Sequence, residues 1–219
     1  MKITLLCTNR EHPVNDWLVR WQARHQGLHD IVLCCDREEL PGGDILFLIS
    51  CSQIVDAETR NKYMHTMVLH ASDLPKGRGW SPHIWALLAG NDTITVSLLT
   101  AEDSVDTGEI WAKRSFSVPP HMLYDEINQR LFDTELILMD EAITLVEQGA
   151  KPVSQAGDVA PSYYRKRTPV DSEVDPNYPL SQLFNTIRVM DPQRFPAYFK
   201  LHGHTYTIEI KKVPSDGRN

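Results

Sequence analysis

The feature that most limits the fold of this chain is the run Ile-Leu-Phe-Leu-Ile within residues 44–50, which is apolar at every consecutive position. A strand with one face in water alternates apolar and polar residues, whereas an unbroken apolar run fits a strand that is covered on both faces. The turn signal Pro41-Gly42-Gly43 precedes the run. We therefore predict a strand in the middle of a sheet that carries helices on both sides.

The neighbouring segments alternate short apolar runs with stretches whose apolar residues recur at helical spacing, a pattern typical of strands joined by crossover helices. We predict strands at residues 2–7, 30–35, 44–50, 67–70, 93–99 and 109–117, and helices at residues 16–26, 83–89 and 122–148. The predicted fold class is α/β, with a mostly parallel sheet and helices on both of its faces.

The character of the sequence changes after Gly149, which ends the apolar stripe of the last of these helices. Residues 150–180 are polar and rich in proline, so we expect an extended segment lying over the body, followed by a helix at residues 180–190. Residues 197–212 have the pattern of a β-hairpin that turns at His202-Gly203-His204. We divide the chain into a main domain, residues 1–149, and a C-terminal extension, residues 150–219.

The charge of the chain argues against one large class of partner. There are 22 Lys and Arg residues against 29 Asp and Glu residues, a formal net charge of −7, whereas nucleic-acid-binding proteins neutralise phosphates with basic residues. We expect no nucleic acid partner, while a small anionic ligand stays compatible. No apolar run reaches the ~20 residues of a membrane span, and polar residues follow the start too soon for a signal peptide. We expect no membrane partner and a cytoplasmic location.

Neither the cysteines nor the paired histidines predict a metal centre. The four cysteines are Cys7, Cys34, Cys35 and Cys51. They lie on or beside apolar runs without the paired spacing of a zinc site, so we interpret them as buried reduced thiols. His202 and His204 have no third ligand nearby in sequence, and a hairpin turn accounts for the glycine between them. We expect no metal ion.

His70 and Asp106 carry the strongest functional signal. Parallel sheets bind ligands beyond the carboxyl ends of their strands, and His70 stands at such an end, before a loop rich in glycine and proline. Asp106 lies in a turn after the strand predicted at residues 93–99. If the two loops face each other across the top of the sheet, the side chains form a base with an orienting carboxylate, which suits proton movement in acyl transfer. A hydrogen-bonded loop histidine and an Asx-turn aspartate explain the same two residues.

The stretch from His70 to Asp106 resembles the signature of the folate-dependent formyltransferases, which have a Rossmann-like fold. The matching positions are His70-Ala71-Ser72-Asp73-Leu74-Pro75, Arg78-Gly79, Pro82, Trp85-Ala86, Gly90 and Asp106-Thr107-Gly108. The resemblance covers roughly residues 1–148, and two motifs at the family's separation are more specific than either alone. The family includes methionyl-tRNA formyltransferase, glycinamide ribonucleotide transformylase and the sugar N-formyltransferases.

The resemblance implies an enzyme that moves the formyl group of its co-substrate, N10-formyltetrahydrofolate, to a primary amine through a tetrahedral oxyanion. It implies that His70 assists the oxyanion or a proton transfer, and that Asp106 tunes His70 and accepts the proton that the amine loses. It also implies a pterin site between the loop after the third strand and the turn that carries Asp106. The residues implied to bind the folate are Ile49, Ser50, Cys51, Ser52, Gln53, Ile54, Glu102, Asp103, Ser104 and Val105.

One position departs from the family's pattern. The family usually has an asparagine two residues before the histidine, whose amide donates to the oxyanion, and this chain has Val68 there. Loss of such a donor costs on the order of 10²–10³ in rate. Either another group replaces it, or the enzyme is slow, or the chain is a non-catalytic folate-binding protein. The replacement candidates are Ser50, Ser52, His65, Thr66 and Ser72.

Among the family's acceptors we expect a nucleotide-linked amino sugar, of the kind used in cell-surface polysaccharide or glycan biosynthesis. Methionyl-tRNA is disfavoured because the sequence is acidic and short, and glycinamide ribonucleotide because residues 8–13 contain no glycine for a phosphate-binding turn. Residues 76–82, 185–189 and 195–199 resemble small bacterial sugar N-formyltransferases, including those that act on pseudaminic acid precursors.

Basic and aromatic residues near these motifs are the candidates for contacting a UDP-linked 4-amino sugar. They are Asn9, Lys76, Arg78, Trp80, Tyr163 and Arg165, with Tyr164 and Arg167 as further members of the second cluster. The basic side chains suit the phosphates, and a tyrosine suits stacking on the uracil. A solvated stretch that holds the tail to the body explains residues 163–167 as well. A homodimer is also compatible, because the hydrophobic hairpin suits a sugar pocket or a second subunit.

Overall fold

The structure, a computed structural model, describes residues 1–213, so the last six positions of the predicted extension lie outside the described residues. Its strands are β1 (Lys2–Leu6), β2 (Asp30–Cys34), β3 (Gly43–Leu48), β4 (Tyr63–His70), β5 (Arg78–Gly79), β6 (Thr93–Thr100), β7 (Ile110–Ser117), β8 (Tyr163–Tyr164), β9 (Ala197–Leu201) and β10 (His204–Ile208). Its α-helices are α1 (Asn15–His25), α2 (Ala57–Arg60), α3 (Pro82–Leu88), α4 (Tyr124–Glu147) and α5 (Leu180–Arg188).

A six-stranded sheet with the order β2-β1-β3-β4-β6-β7 forms the centre of the structure. The first four of these strands run parallel, and β6 and β7 are each antiparallel to the preceding neighbour. β3 lies inside the sheet, and its residues Ile45, Leu46 and Phe47 are fully buried. The predicted α/β fold with a mostly parallel sheet and β3 in its middle is therefore confirmed.

The direction of β6 corrects one step of the sequence argument. We expected His70 and Asp106 to follow the carboxyl ends of strands that face each other across a parallel sheet. Because β6 is antiparallel to β4, His70 pairs with Ser97, and the carboxyl end of β6 lies lower on β4, where the amide of Ala101 donates to Thr66 O over 2.8 Å. The chain returns to the level of His70 only through the loop of residues 101–109. The expected geometry was wrong, although the two side chains do meet.

Helices cover the sheet because each strand alternates its side chains between two apolar clusters. On one face α1 and α4 bury Ile3, Phe47 and Met67, and the indole of Trp21 on α1 donates to Asp140 on α4 over 2.6 Å. On the other face Leu46 and its neighbours pack in a smaller cluster beside α2. The predicted start of β4 at residue 67 was wrong, because the strand begins at Tyr63. The sequence analysis also did not predict α2, β5 or β8.

The extension is attached to the body at several places. β8 adds to β5 as a parallel pair, and Val153 forms a bridge with Ile110. β9 and β10 form the predicted hairpin, in which His202 and Gly203 take the positive φ angles of 50° and 79° that a tight hairpin turn requires. Within residues 1–213, no helix combines the length and the apolar content needed to cross a membrane.

A third apolar cluster is shared between the body and the extension. Ile84, Met122 and Ile127 of the body pack with Ile187 and Val189 of the extension. The guanidinium of Arg188, which is 6% exposed, also donates to the carbonyl of Met122 over 3.0 Å. Neither half buries this cluster alone.

The shared cluster predicts that the extension stabilises the whole chain. Ile187→Ala removes buried methyl groups and is expected to lower the free energy of unfolding by about 2–5 kcal/mol, in a single transition, measured by urea denaturation. Leu180→Ala is the matched control, because Leu180 lies on the same helix and is 63% exposed. A separate early transition in the Ile187 variant, with the body unaffected, would contradict the prediction.

Candidate active site

His70, the last residue of β4, is held by contacts to both of its ring nitrogens. Nε2 lies 2.8 Å from the carbonyl oxygen of Gly77, and Nδ1 lies 3.5 Å from Oδ1 of Asp106. A carbonyl oxygen only accepts hydrogen bonds, so Nε2 carries a hydrogen in this contact. Nδ1 and the Asp106 carboxylate are then the two groups between which a proton can pass.

Asp106 is fixed as firmly as His70. Its side chain is 7% exposed, and Oδ2 accepts a hydrogen bond from the amide of Gly79 over 2.8 Å. Its φ of 57° lies in the left-handed region, which is strained for most residues and tolerated better by Asp and Asn. The turn is also tight, because a Cβ on Gly108 would lie 1.9 Å from the carbonyl oxygen of Thr100. Only glycine fits at that position.

A cavity of about 690 Å³ opens beside the His70–Asp106 pair. Its walls come from the loops that follow β1, β3 and β6, from the end of β4, from the start of α3, and from one face of α4. Residues Lys166, Arg167, Asp191, Arg194 and Phe195 of the extension complete the lining. The size suits a drug-sized or nucleotide-sized ligand, and the pair lies within the cavity's wall.

One side of the cavity is formed by the loops after β3 and β6. The apolar side chains of Ile54 and Val105 stand there 70% and 57% exposed. The first loop is anchored through Ser52, whose amide donates to Thr8 Oγ1 over 2.9 Å, and through Gln53, whose side chain bridges Asp36 and the amide of Arg37. The result is a slot with exposed apolar side chains and firmly placed backbone.

Another part of the lining consists of buried polar groups, some of whose atoms lack hydrogen-bond partners within the described residues. Glu135 on α4 is 4% exposed, and its Oε2 makes no hydrogen bond within the described residues. The same is true of His83 Nδ1 and Arg167 Nε. His12 and Asn128 lie on the same lining. Buried polar atoms are seldom left unpaired in proteins, so this side of the cavity is suited to a ligand that supplies hydrogen bonds.

Burial keeps Glu135, His83 and His12 uncharged near neutral pH, whereas Arg167 stays a cation. Burial without a charged partner raises the pKa of Glu135 to about 8. Burial, with a smaller contribution from Arg167, lowers the pKa of His83 to about 3, and burial together with Arg194 lowers the pKa of His12 to about 4. We call Glu135, His83, His12 and Asn128 the polar floor of the cavity. It presents a neutral carboxyl, two neutral imidazoles and an amide.

The structure brings together most, but not all, of the residues implied to bind folate. The residues of that set that line the cavity are Ser50, Cys51, Ser52, Gln53, Ile54, Glu102, Asp103 and Val105. Ile49 is fully buried in the apolar core, and Ser104 lies outside the lining.

The sugar candidates divide more evenly. Asn9 and Trp80 line the cavity, whereas Lys76, Arg78, Tyr163 and Arg165 do not. The Arg78 guanidinium donates to Gln155 Oε1 and Tyr163 Oη, and Arg165 is paired with Asp171. Their neighbours Lys166 and Arg167 line the cavity instead.

Of the candidates to replace the missing amide, two are placed in the cavity. Val68 lines the cavity, as do Ser50 and Ser52. His65 packs edge-on against Trp111 at 5.3 Å between ring centroids, and neither Thr66 nor Ser72 reaches the lining. The hydroxyl of Ser52 already lies 3.0 Å from Thr8 Oγ1, which leaves Ser50 with the freer hydroxyl of the pair.

Several lining residues were missed by the sequence analysis. Asn128 and Glu135 stand on the face of α4 that also carries Leu131, so two polar residues interrupt an otherwise apolar stripe. That interruption is a signal in the sequence. His12, His83 and Arg167 give no comparable signal, because their burial arises only when distant segments meet.

Comparison with known proteins identifies relatives of this chain. The family described as formyl transferase matches residues 9–143. The chain is 27% identical over 192 residues to a mitochondrial 10-formyltetrahydrofolate dehydrogenase from Mus musculus, covering 86% of this chain and 20% of that protein. It is 30% identical over 147 residues to a methionyl-tRNA formyltransferase from Nitrosomonas europaea, covering 67% of this chain and 45% of that protein. The chain thus spans less than half the length of these relatives.

Solved structures share the fold. A methionyl-tRNA formyltransferase from Clostridium thermocellum superposes with a TM-score of 0.80 at 21% identity, covering 100% of this chain and 95% of that one. HypX from Aquifex aeolicus in complex with tetrahydrofolic acid gives 0.81 at 22% identity, covering 96% and 37%. A sugar N-formyltransferase from a Shewanella species gives 0.72 at 14% identity, covering 97% and 98%. With the family match over more than half of its length, this chain belongs to the formyl transferase family.

Proposed function

We propose that this protein is an N-formyltransferase that moves the formyl group of N10-formyltetrahydrofolate to the primary amine of a nucleotide-linked amino sugar. The observation that carries the proposal is the His70–Asp106 pair, which stands in the wall of a cavity lined by the loops after β3 and β6 and by buried polar groups of α3, α4 and the extension. These two parts of the lining match two different reactants. A flat heterocycle suits the slot, and a hydroxylated ring suits the floor.

The donor side fits a folate. A pterin ring needs flat apolar contact and backbone groups that pair with its edge, and the loops after β3 and β6 offer both. Ile54 and Val105 would contact the faces of the ring, because they are the exposed apolar side chains of that slot. The backbone of residues 50–53 would pair with its edge. We extend this proposal to the rest of the predicted folate set that lines the cavity.

The acceptor side fits a sugar. Neutral Glu135, His83, His12 and Asn128 offer donors and acceptors without fixed charge, which is the lining that hydroxyl groups need. The cations Lys166 and Arg167 stand at the same cavity, where a diphosphate would meet them. The ammonium of Lys166 lies 4.8 Å from the ring of Trp80, whose exposed face is suited to stack on a base.

Formyl transfer requires a group that accepts the proton of the amine and a group that stabilises the negative charge of the tetrahedral oxyanion. As the amine nitrogen bonds to the formyl carbon and the bond from that carbon to N10 breaks, the amine loses one proton and N10 gains one. Asp106, with Oδ1 3.5 Å from His70 Nδ1, is placed to take the proton. Its Oδ2 stays bonded to the amide of Gly79, which keeps the carboxylate aimed at the ring.

The proposal is tested by release of tetrahydrofolate from N10-formyltetrahydrofolate in the presence of a UDP-linked 4-amino-4,6-dideoxyhexose. We expect turnover that needs both reactants and yields the formamide product by mass spectrometry. His70→Ala and Asp106→Asn are expected to lower kcat by at least ~10²-fold, because they remove an acid–base group, with folded protein retained by circular dichroism.

Two results would contradict this assignment in different ways. Folate binding without turnover for any amine would favour a non-catalytic folate-binding protein. Turnover with methionyl-tRNA or glycinamide ribonucleotide, and none with amino sugars, would keep the reaction and reject the acceptor.

Val68 predicts a gain of function. If the enzyme lacks an oxyanion donor, Val68→Asn places an amide at a position that already lines the cavity. We expect kcat to rise by about 10-fold or more, within the 10²–10³ that such a donor supplies elsewhere, measured with the same assay. Val68→Leu is the control, since leucine has nearly the shape of asparagine and carries no hydrogen-bond donor. An unchanged or lower kcat in Val68→Asn would indicate that another group already stabilises the oxyanion.

Glu135 predicts a pH-dependent stability. The carboxyl ionises near its ordinary pKa of 4.5 in the unfolded chain and only near 8 in the fold, so the folded state binds the extra proton and stability falls as pH rises between those values. Glu135→Gln does not titrate. Its stability relative to the original chain should therefore increase by a few kcal/mol from pH 5 to pH 8 in urea unfolding. Glu147→Gln, at an exposed position of α4, is the control, and a pH-independent difference at residue 135 would count against a buried neutral carboxyl.

A further inference from the structure

Residues 153–164, which we call the clamp segment, contact the loops of both members of the pair. The segment begins where Val153 and Ile110 exchange backbone hydrogen bonds of 2.7 and 2.9 Å. It ends where β8 pairs with β5. Between these points it passes the turn of Asp106 on one side and the loop of Gly77 on the other.

Gln155 uses its whole amide at the turn of Asp106. Nε2 donates to the carbonyl oxygens of Asp106 and Gly108 over 2.8 and 2.9 Å, and Oε1 accepts from Nη2 of Arg78 over 2.7 Å. Gln155 is half-buried and does not line the cavity. Gln155 therefore contacts Asp106 but does not contact the cavity in which the reactants would bind.

The two hydrogen bonds matter because the turn of Asp106 lies between β6 and β7, outside the regular hydrogen bonding of the sheet. Backbone carbonyl groups there need partners from elsewhere in the chain, and those of Asp106 and Gly108 both accept from Gln155. Two charge-free hydrogen bonds from one rigid amide hold both carbonyls at once. Without them, rotation of the turn would carry Oδ1 away from the 3.5 Å contact with His70.

The other end of the clamp segment fixes His70 through the backbone. Ser162 Oγ accepts from the amide of Gly77 over 2.9 Å, and the Gly77 carbonyl in turn holds Nε2 of His70. The Ser162 carbonyl accepts from the amide of Arg78, and that of Tyr164 accepts from Trp80. The same short segment thus supports the partner of each catalytic side chain.

We propose that Gln155 is a positioning residue for formyl transfer, which holds the Asp106 turn so that its carboxylate faces His70. The kinetic consequence of this proposal rests on the proposed formyl transfer. Its structural consequence can be measured in the protein without ligands. Because Gln155 stands outside the cavity, its loss should lower kcat and leave KM for N10-formyltetrahydrofolate nearly unchanged. Because it acts through Asp106, its effect should vanish when Asp106 cannot function.

The structural arm of the test measures amide hydrogen exchange in the protein without ligands. In Gln155→Ala we expect the Gly79 amide, which is bonded to Asp106 Oδ2, to exchange at least ~10-fold faster. Gln155→Glu keeps the shape of the side chain and removes the amide donor, so the Gly79 amide should exchange faster in this variant as well. Ser154→Ala is the matched control, since Ser154 lies next in the chain and its hydroxyl, within residues 1–213, bonds only to the exposed Glu109. Unchanged exchange at Gly79 in both Gln155 variants would overturn the proposal whether or not the acceptor has been identified.

The kinetic arm is a double-mutant cycle in the assay with the UDP-linked amino sugar. Gln155→Ala is expected to lower kcat by about 10- to 100-fold in the original chain and by less than about 3-fold in Asp106→Asn. A general loss of folded protein would instead lower activity by the same factor in both backgrounds, and that outcome would reject the positioning role. Absence of turnover in the original chain would refute the acceptor, and the exchange data would still decide the role of Gln155.

Discussion

The rest of the site depends on how closely three pieces of backbone approach one another at residues 77–79. This short stretch lies between His70, Asp106 and the strand β8, and it hydrogen-bonds to all three. A Cβ on Gly79 would lie 2.4 Å from the carbonyl oxygen of Tyr164, and the φ of 94° excludes other residues as well. The close approach of residue 79 to β8 is therefore available only to glycine, and the amide of that same glycine donates to Asp106 Oδ2.

This constraint explains why part of the molecule could be predicted from sequence and part could not. The apolar run of β3, the stripe of α4 and the hairpin turn at Gly203 are local signals, because burial and turn geometry act within a few residues. The direction of β6 is not local. A buried strand has the same apolar pattern whether its neighbour runs parallel or antiparallel. The sequence therefore suggested two loops that face each other at the same end of the sheet, whereas in the structure the loop of residues 101–109 leads back to the level of His70.

The same distinction applies to the site. His70 and Asp106 were found because their surroundings are rich in glycine and because their motif resembles a family. Glu135 was missed although it interrupts an apolar stripe, since one acidic residue in a long helix has many explanations. Gln155 was missed for a stronger reason. Its role comes from its hydrogen bonds to two carbonyl groups, both far from Gln155 in sequence. Nothing in a polar, proline-rich segment distinguishes the side-chain amide of Gln155 from the other polar side chains.

The buried polar floor also changes how the net charge of the chain is to be used. A charge of −7 was an argument about partners, yet charges on the surface are screened within about 8 Å at physiological ionic strength. The groups nearest the cavity are of both signs, with Glu102 and Asp103 toward the slot and Lys166 and Arg167 toward the polar floor. A ligand in the cavity meets this local pattern, and the floor itself is neutral because burial suppresses ionisation. Under the proposed function, the acceptor would therefore be selected by where a few cations stand relative to neutral hydrogen-bonding groups, and the net charge of the whole surface would act only through long-range attraction at low salt.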